Sequence, residues 1–183
     1  KQDLSQTWKA MESLYQQKLV KSIGVSNFNS ALLRHIINIS SIPVEAIQIE
    51  VHPYLSQTKM LTLCQQYNIS VSAYSPLGAK SYIELDMASP LQDLSTHSLI
   101  KQLSKDYNKS PVQILLRWAI QRNTIPICKS SSEKHLKENI DIFDFSISIK
   151  DMREIEKLNQ NLRFNDPGKF TLKAFGTFCP IYD

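Results

Sequence analysis

The sequence predicts an α/β fold in which parallel strands alternate with crossover helices. Three observations predict it. Short β-branched apolar runs recur at Leu19–Val25, Val44–Val51, Ile69–Tyr74 and Thr124–Cys128. Between them lie segments with helical spacing of apolar residues, and the first three units repeat at about 25 residues, room for one crossover helix. Each run is apolar on both faces, as in a sheet covered outside by helices and filled inside by side chains.

Leu19–Val25 is the first expected strand. Asn29 then offers a side-chain oxygen to cap a helix with Leu32, Leu33, Ile36 and Ile37 on one face. Val44–Val51 is the second strand, and Ser56 opens a helix carrying Met60, Leu61, Cys64 and Tyr67. Ile69–Tyr74 is the third, followed by a longer excursion. Ser110-Pro111-Val112-Gln113 reads as a capping box, with a proline whose missing N–H costs nothing at the first helical position. Ile114, Leu115, Trp118 and Ala119 make that helix's buried face. Thr124–Cys128 is the fourth strand, Ser132 caps a helix running to about Glu138, and Ser148 with Asp151 opens a last one bearing Met152, Ile155 and Leu158.

With 183 residues and 42% hydrophobic content, the chain suits a single domain portion spanning 1–183, with a C-terminal tail from about residue 159. No window approaches about 18 uninterrupted apolar residues, and Lys1-Gln2-Asp3 starts no signal sequence, so neither a membrane nor secretion is expected. The odd, widely spaced cysteines, Cys64, Cys128 and Cys179, fit no disulfide framework and suggest a reducing cytoplasm. The net charge of +4 comes from scattered lysines rather than a basic face, which argues against nucleic acid. Histidines 35, 52, 97 and 135 lack the i,i+3 or i,i+4 partners of a metal site, so no metal is expected.

Where parallel strands close into a barrel, their carboxyl ends meet on one rim that holds ligands. Ser26-Asn27, Gln48, Tyr74 and Lys129-Ser130 interrupt the apolar runs at such ends. Each alone reads equally as a solvated loop residue; together they point to one site. Asn27 and Gln48 can donate to and accept from a flat carboxamide, the Ser26 hydroxyl completes the fork, and Tyr74 offers a stacking face, which suits a nicotinamide ring. Lys129-Ser130-Ser131-Ser132 leads into a helix whose first amides are unpaired, which suits a phosphate; by itself the run also reads as a plain cap in a polar loop. A Gly-x-Gly-x-x-Gly cradle does not occur in a chain with only four glycines.

"KSIGVSNF", "IQIEVHPYLSQ", "VSAYSPLG", "ILLRWAIQR" and "ICKSSSEKHLKEN" resemble the aldo-keto reductases, and "KSYIELD" with "LRFNDPG" resembles their xylose reductase and aldose reductase branch. The resemblance runs from Trp8 to about Pro167. It implies a (β/α)₈ TIM barrel that reduces aldehydes or ketones with NADPH or NADH, without metal or flavin. It also implies that Ser26, Asn27 and Gln48 hold the carboxamide, Tyr74 stacks on the nicotinamide, Ser75 and Leu77 line the pyrophosphate, and Glu84 reaches the adenosine ribose. By the same resemblance Lys129, Ser130 and Ser131 meet the adenosine phosphate, Glu138 and Asn139 the adenine, and Asn165 a substrate hydroxyl. His135 stands where the family has an arginine on the 2′-phosphate, so NADPH is expected with NADH possible. Cys128 replaces a proline, read as a packing change.

The resemblance places the family's catalytic aspartate, tyrosine, lysine and histidine before the region matching Lys1, and no residue of this chain is assigned the proton-donating role. The strands counted amount to the C-terminal half of a barrel, which leaves strand edges and inner faces exposed. The expectation is therefore a portion of a longer polypeptide that supplies most of a cofactor site and is inactive alone; as a complete product it would form a homodimer or aggregate. The complete protein is expected to reduce a small carbonyl substrate, possibly a sugar. The alternatives are a noncatalytic dinucleotide-binding or structural protein, and a barrel enzyme handling a sugar phosphate at the Lys129–Ser132 run.

Overall fold

The computed structural model describes residues 3–178 and Tyr182, and for Phe170 and residues 173–175 the backbone alone; Cys179 lies outside the described residues. In chain order the elements are α1 (Leu4–Gln16), β1 (Gly24–Ser26), α2 (Ser30–Ile39), β2 (Ala46–Glu50), α3 (Thr58–Gln66), β3 (Ser70–Tyr74) and α4 (Lys80–Ile83). Then come two single 3₁₀ turns, α5 (Ser98–Asp106), α6 (Pro111–Gln121), β4 (Thr124–Ile127), α7 (Glu133–Ile140), α8 (Ile149–Glu156) and α9 (Pro167–Phe175). The fold is α/β, with parallel strands in chain order, as crossover helices dictate. The chain divides into two compact units, residues 1–49, 58–72 and 166–183 in the first, 50–57 and 73–165 in the second.

In the first unit β1 and β2 pair in parallel, Gly24 opposite Ala46, Val25 opposite Ile47 and Ser26 opposite Gln48. Gly24 is required by this register: a Cβ there would collide with the backbone carbonyl of Ala46. Leu33, Ile36, Ile47, Ile49, Leu63, Cys64, Ile69 and Val71 are buried around these strands. Asn29 caps α2 by accepting from Leu32 N at 2.9 Å, as the sequence predicts. The α1 helix seals the unit with Trp8 and Glu12. Buried Glu12 uses one oxygen, Oε1, to accept from Trp8 Nε1 (3.1 Å), Ser41 N (2.6 Å) and Ile42 N (2.9 Å), so it satisfies two loop amides and an indole at once.

In the second unit the expected capping box is present: Ser110 Oγ accepts from Gln113 N at 3.2 Å and Gln113 Oε1 accepts from Ser110 N at 2.9 Å. Ile114, Leu115, Leu116, Trp118 and Ala119 of α6 are buried with Ile100, Leu103, Ile142, Ile147 and Ile155. Ser132 and Ser148 cap α7 and α8 as expected.

Several boundaries differ from expectation. The strand predicted over Leu19–Val25 starts only at Gly24, because α1 ends in a left-handed turn at Lys18 (φ 59°) that leaves Leu19 and Val20 exposed. The helix expected from Ser56 starts at Thr58: Gln57 is left-handed (φ 54°), and buried Ser56 donates its backbone N–H to Asn159 Oδ1. Tyr67 and Leu158 fall just beyond α3 and α8. The fourth strand is not apolar-buried on both faces, since Ile125 and Ile127 are exposed. Helices α1, α4, α5 and α9 were not expected.

Two expected outcomes follow for the full-length protein. Backbone N–H groups, first that of Ile42, then that of Ser41, and the Trp8 indole hold the Glu12 carboxyl below the usual glutamate range. Its stabilisation is therefore complete above about pH 4.3 and is lost as pH falls through that value and then through the lowered one. Glu12→Gln should cost about 2 kcal/mol at neutral pH and flatten the acid side of a stability-versus-pH profile measured by urea unfolding; an unchanged acid side would contradict the assignment. Gly24→Ala should cost about 2 kcal/mol in the same assay, because the strand pair must part to admit the methyl.

Candidate functional site

The second unit contains a cavity of about 710 Å³, well within the size range of small-molecule sites. One wall is the chain leaving β3, Ser75-Pro76-Leu77-Gly78, followed by Lys80 and Ser81 of α4 and then Glu84. Gly78 is left-handed (φ 70°), and a Cβ there would meet the Leu94 side chain at 2.7 Å, so only glycine lets this turn lie flat against the unit. The opposite wall is the chain leaving β4, Ile127 to Ser132, with His135, Glu138 and Asn139 of α7; Ser110 and Val112 at the start of α6 complete it. Nine of the sequence-predicted residues thus share one cavity: Ser75, Leu77, Glu84, Lys129, Ser130, Ser131, His135, Glu138 and Asn139.

The chemistry of the second wall follows from a helix start. Ser132 Oγ accepts from His135 N at 3.4 Å, and Ser130 Oγ accepts from Ser132 N at 3.1 Å, which fixes the run entering α7. Among the described residues no carboxylate pairs with Lys129, so its ammonium, nearby hydroxyls and the positive end of α7 are available to an anion. Glu133 in the first turn is engaged with Lys137 at 2.8 Å. Glu84 and Glu138 supply acceptors for hydroxyl or amino groups. Burial pushes the Cys128 thiol up, against a backbone hydrogen bond of its own and one to Asn139 that lower it.

At the end of β3, Asn165 Nδ2 donates to the Tyr74 hydroxyl at 3.0 Å, joining two predicted site residues. Ser75 is left-handed (φ 50°), and its hydroxyl pairs with the Tyr82 hydroxyl at 3.0 Å. Tyr82 in turn stacks on Phe164 with ring centroids 5.7 Å apart, and burial raises its phenol. In the first unit Ser26, Asn27 and Gln48 stand together: Asn27 N and Ser26 Oγ both donate to Gln48 O, at 3.0 and 3.1 Å. Asn27 is left-handed (φ 57°), a conformation asparagine tolerates, and its Oδ1 accepts from Tyr182 at 3.2 Å. The residues the sequence reading missed are Tyr82 and Tyr182; Glu50 stands out in the sequence, with Gln48, as a polar interruption of an apolar run, without a site role. Among the described residues no group of three His, Cys, Asp or Glu side chains could hold a metal, and no helix is long and apolar enough to cross a membrane.

Comparison with known proteins gives the family of the chain. Residues 1–160 match the model of the aldo/keto reductase family. The chain is 43% identical over 166 residues to the "Probable NAD(P)H-dependent D-xylose reductase xyl1" of Neosartorya fischeri, covering 90% of this chain and 52% of that protein. Against the NAD(P)H-dependent D-xylose reductase I,II of Candida tropicalis it is 42% identical over 166 residues, 90% of this chain and 51% of the other. The solved aldose reductase of Schistosoma japonicum superposes with a TM-score of 0.80 at 32% identity, over 97% of this chain and 53% of that one. The chain spans about half the length of the curated relatives it matches. It belongs to the aldo/keto reductase family.

Proposed function

We propose that the full-length protein containing this chain reduces small aldehydes or ketones with a nicotinamide dinucleotide, and that the cavity of the second unit takes the adenosine end of that cofactor. The observation that carries the proposal is the coincidence, in one cavity, of Lys129, without a carboxylate partner among the described residues, the serine hydroxyls and the Ser132-capped start of α7. This donor set fits a phosphate ester, and Glu84, Glu138 and Asn139 on the same walls fit the hydroxyls and amino group of a nucleoside. Within the second unit, Tyr74 would present its ring face to the nicotinamide. When bound, the dinucleotide supplies the hydride.

Two relatives carry the name D-xylose reductase, which supports a polyhydroxylated aldehyde as substrate, with Asn165 as a hydroxyl contact. Lys129 favours NADPH, while His135 in the cavity permits NADH, since an imidazole is a weaker phosphate clamp than a guanidinium. The unpaired thiols of Cys64 and Cys128 support a cytoplasmic location.

The test is dinucleotide oxidation by the full-length protein, followed at the nicotinamide absorbance as D-xylose or a simple aldehyde is added. Turnover with NADPH is expected. Lys129→Met should raise the Michaelis constant for NADPH about tenfold and that for NADH by less than about twofold, because only the former carries the extra phosphate. Failure to oxidise either cofactor with any aldehyde would contradict the proposal.

A further inference from the structure

Glu50 is the last residue of β2 and is fully closed off from solvent (0% exposed). A buried carboxylate is costly unless its lone pairs are met. Here they are met from two directions. Oε1 accepts from His52 Nε2 at 3.0 Å and from Phe164 N at 2.9 Å; Oε2 accepts from Asn165 N at 3.1 Å and faces Arg163 Nη1 at 3.7 Å. The bond to His52 Nε2 assigns the proton to that nitrogen, and among the described residues Nδ1 has no hydrogen-bond partner. The His52 ring lies against Phe164, centroids 5.2 Å apart. Two consecutive backbone amides of the segment 163–165 are therefore clamped by one side chain. The residue so held, Asn165, extends its amide to the Tyr74 hydroxyl at 3.0 Å.

We infer that Glu50 is a positioning residue: its buried carboxylate fixes segment 163–165 so that Asn165 holds the Tyr74 ring at the angle required to stack on a flat heterocycle. Glu50 touches neither cofactor nor substrate in this scheme. It acts through Asn165, and the inference rests on the dinucleotide reading of the site. If Glu50 were structural only, its loss would loosen the unit and weaken every ligand alike. A positioning role instead affects the part of a ligand that meets Tyr74 and spares the part that occupies the cavity beside α7.

Two probes separate these cases in the full-length protein: NADPH, which carries both parts, and adenosine 2′,5′-bisphosphate, which carries only the second. Titrations by fluorescence or calorimetry give both dissociation constants. Glu50→Gln replaces one acceptor oxygen by an NH₂ that cannot receive the backbone amide held there. It should weaken NADPH about fivefold, the scale of one misaligned aromatic contact, and change the bisphosphate by less than about twofold. Asn165→Ala should give the same selective loss, and the double variant should be no weaker than either single one, because both changes remove the same support. Glu50→Asp, which keeps the charge but shortens its reach, serves if Glu50→Gln does not fold, with the same expectation. Equal weakening of both probes, no weakening of either, or additive losses in the double variant would each overturn the positioning role. Wild-type protein that binds neither probe would overturn the dinucleotide reading itself, a result distinct from all three.

Discussion

The carboxylate of Glu50 constrains the upper part of the second unit. A charge with no access to water must gather donors, and those it gathers are mainly backbone amides, from Phe164 and Asn165. Backbone donors fix the path of a chain in a way that side-chain donors do not. The segment that closes the unit therefore has to return to the end of β2, and its neighbours are set by that return: Phe164 between His52 and Tyr82, Asn165 at Tyr74. The first unit uses the same device in Glu12, whose oxygen ties α1 to the loop ahead of β2 through Ser41 and Ile42.

The cavity depends on a different piece of physics, the unsatisfied amides of a helix start. Ser132 caps α7, Ser130 braces Ser132, and the approach from β4 brings Lys129 to the same wall. The facing wall is shaped by the left-handed turn at Gly78, which packs against Leu94. A site of this kind needs no glycine-rich loop, because the dipole and hydroxyls that such a loop would supply come from the capped helix. The price is dependence on few groups: one ammonium and a handful of hydroxyls must define the anion position.

Much of this was legible because the signals were local. Ser110, Gln113, Ser132 and Asn29 act on amides two or three residues away, so a capping pattern in the sequence becomes a cap in the structure. The strand ends at Ser26 and Tyr74 were legible for a similar reason, an apolar run that stops; Gln48, expected at a strand end, lies in the middle of β2 instead, because pairing continues to Glu50. What escaped was set by distant or competing contacts. The partners of Glu50 lie 114 and 115 positions along the chain, so nothing near "AIQIEV" marks it as a hub. Leu19–Ile23 has strand composition, but the left-handed Lys18 turn spends those residues on leaving α1. Helix α1 hid because Glu12 and Trp8 form its buried contact, and a carboxylate interrupts the apolar stripe that periodicity seeks. The exposed Ile125 and Ile127 break the expectation of a strand covered on both faces, and so does β2, where Ile47 and Ile49 bury one face while Gln48 on the other is exposed.

The account stands on the cavity beside α7 being a nucleotide site. A crystal structure of the full-length protein with NADPH tests this most directly. The account requires the adenosine phosphate against Lys129, Ser130 and Ser131 and the nicotinamide ring on Tyr74. Density for the cofactor elsewhere, with this cavity filled by solvent alone, would contradict it.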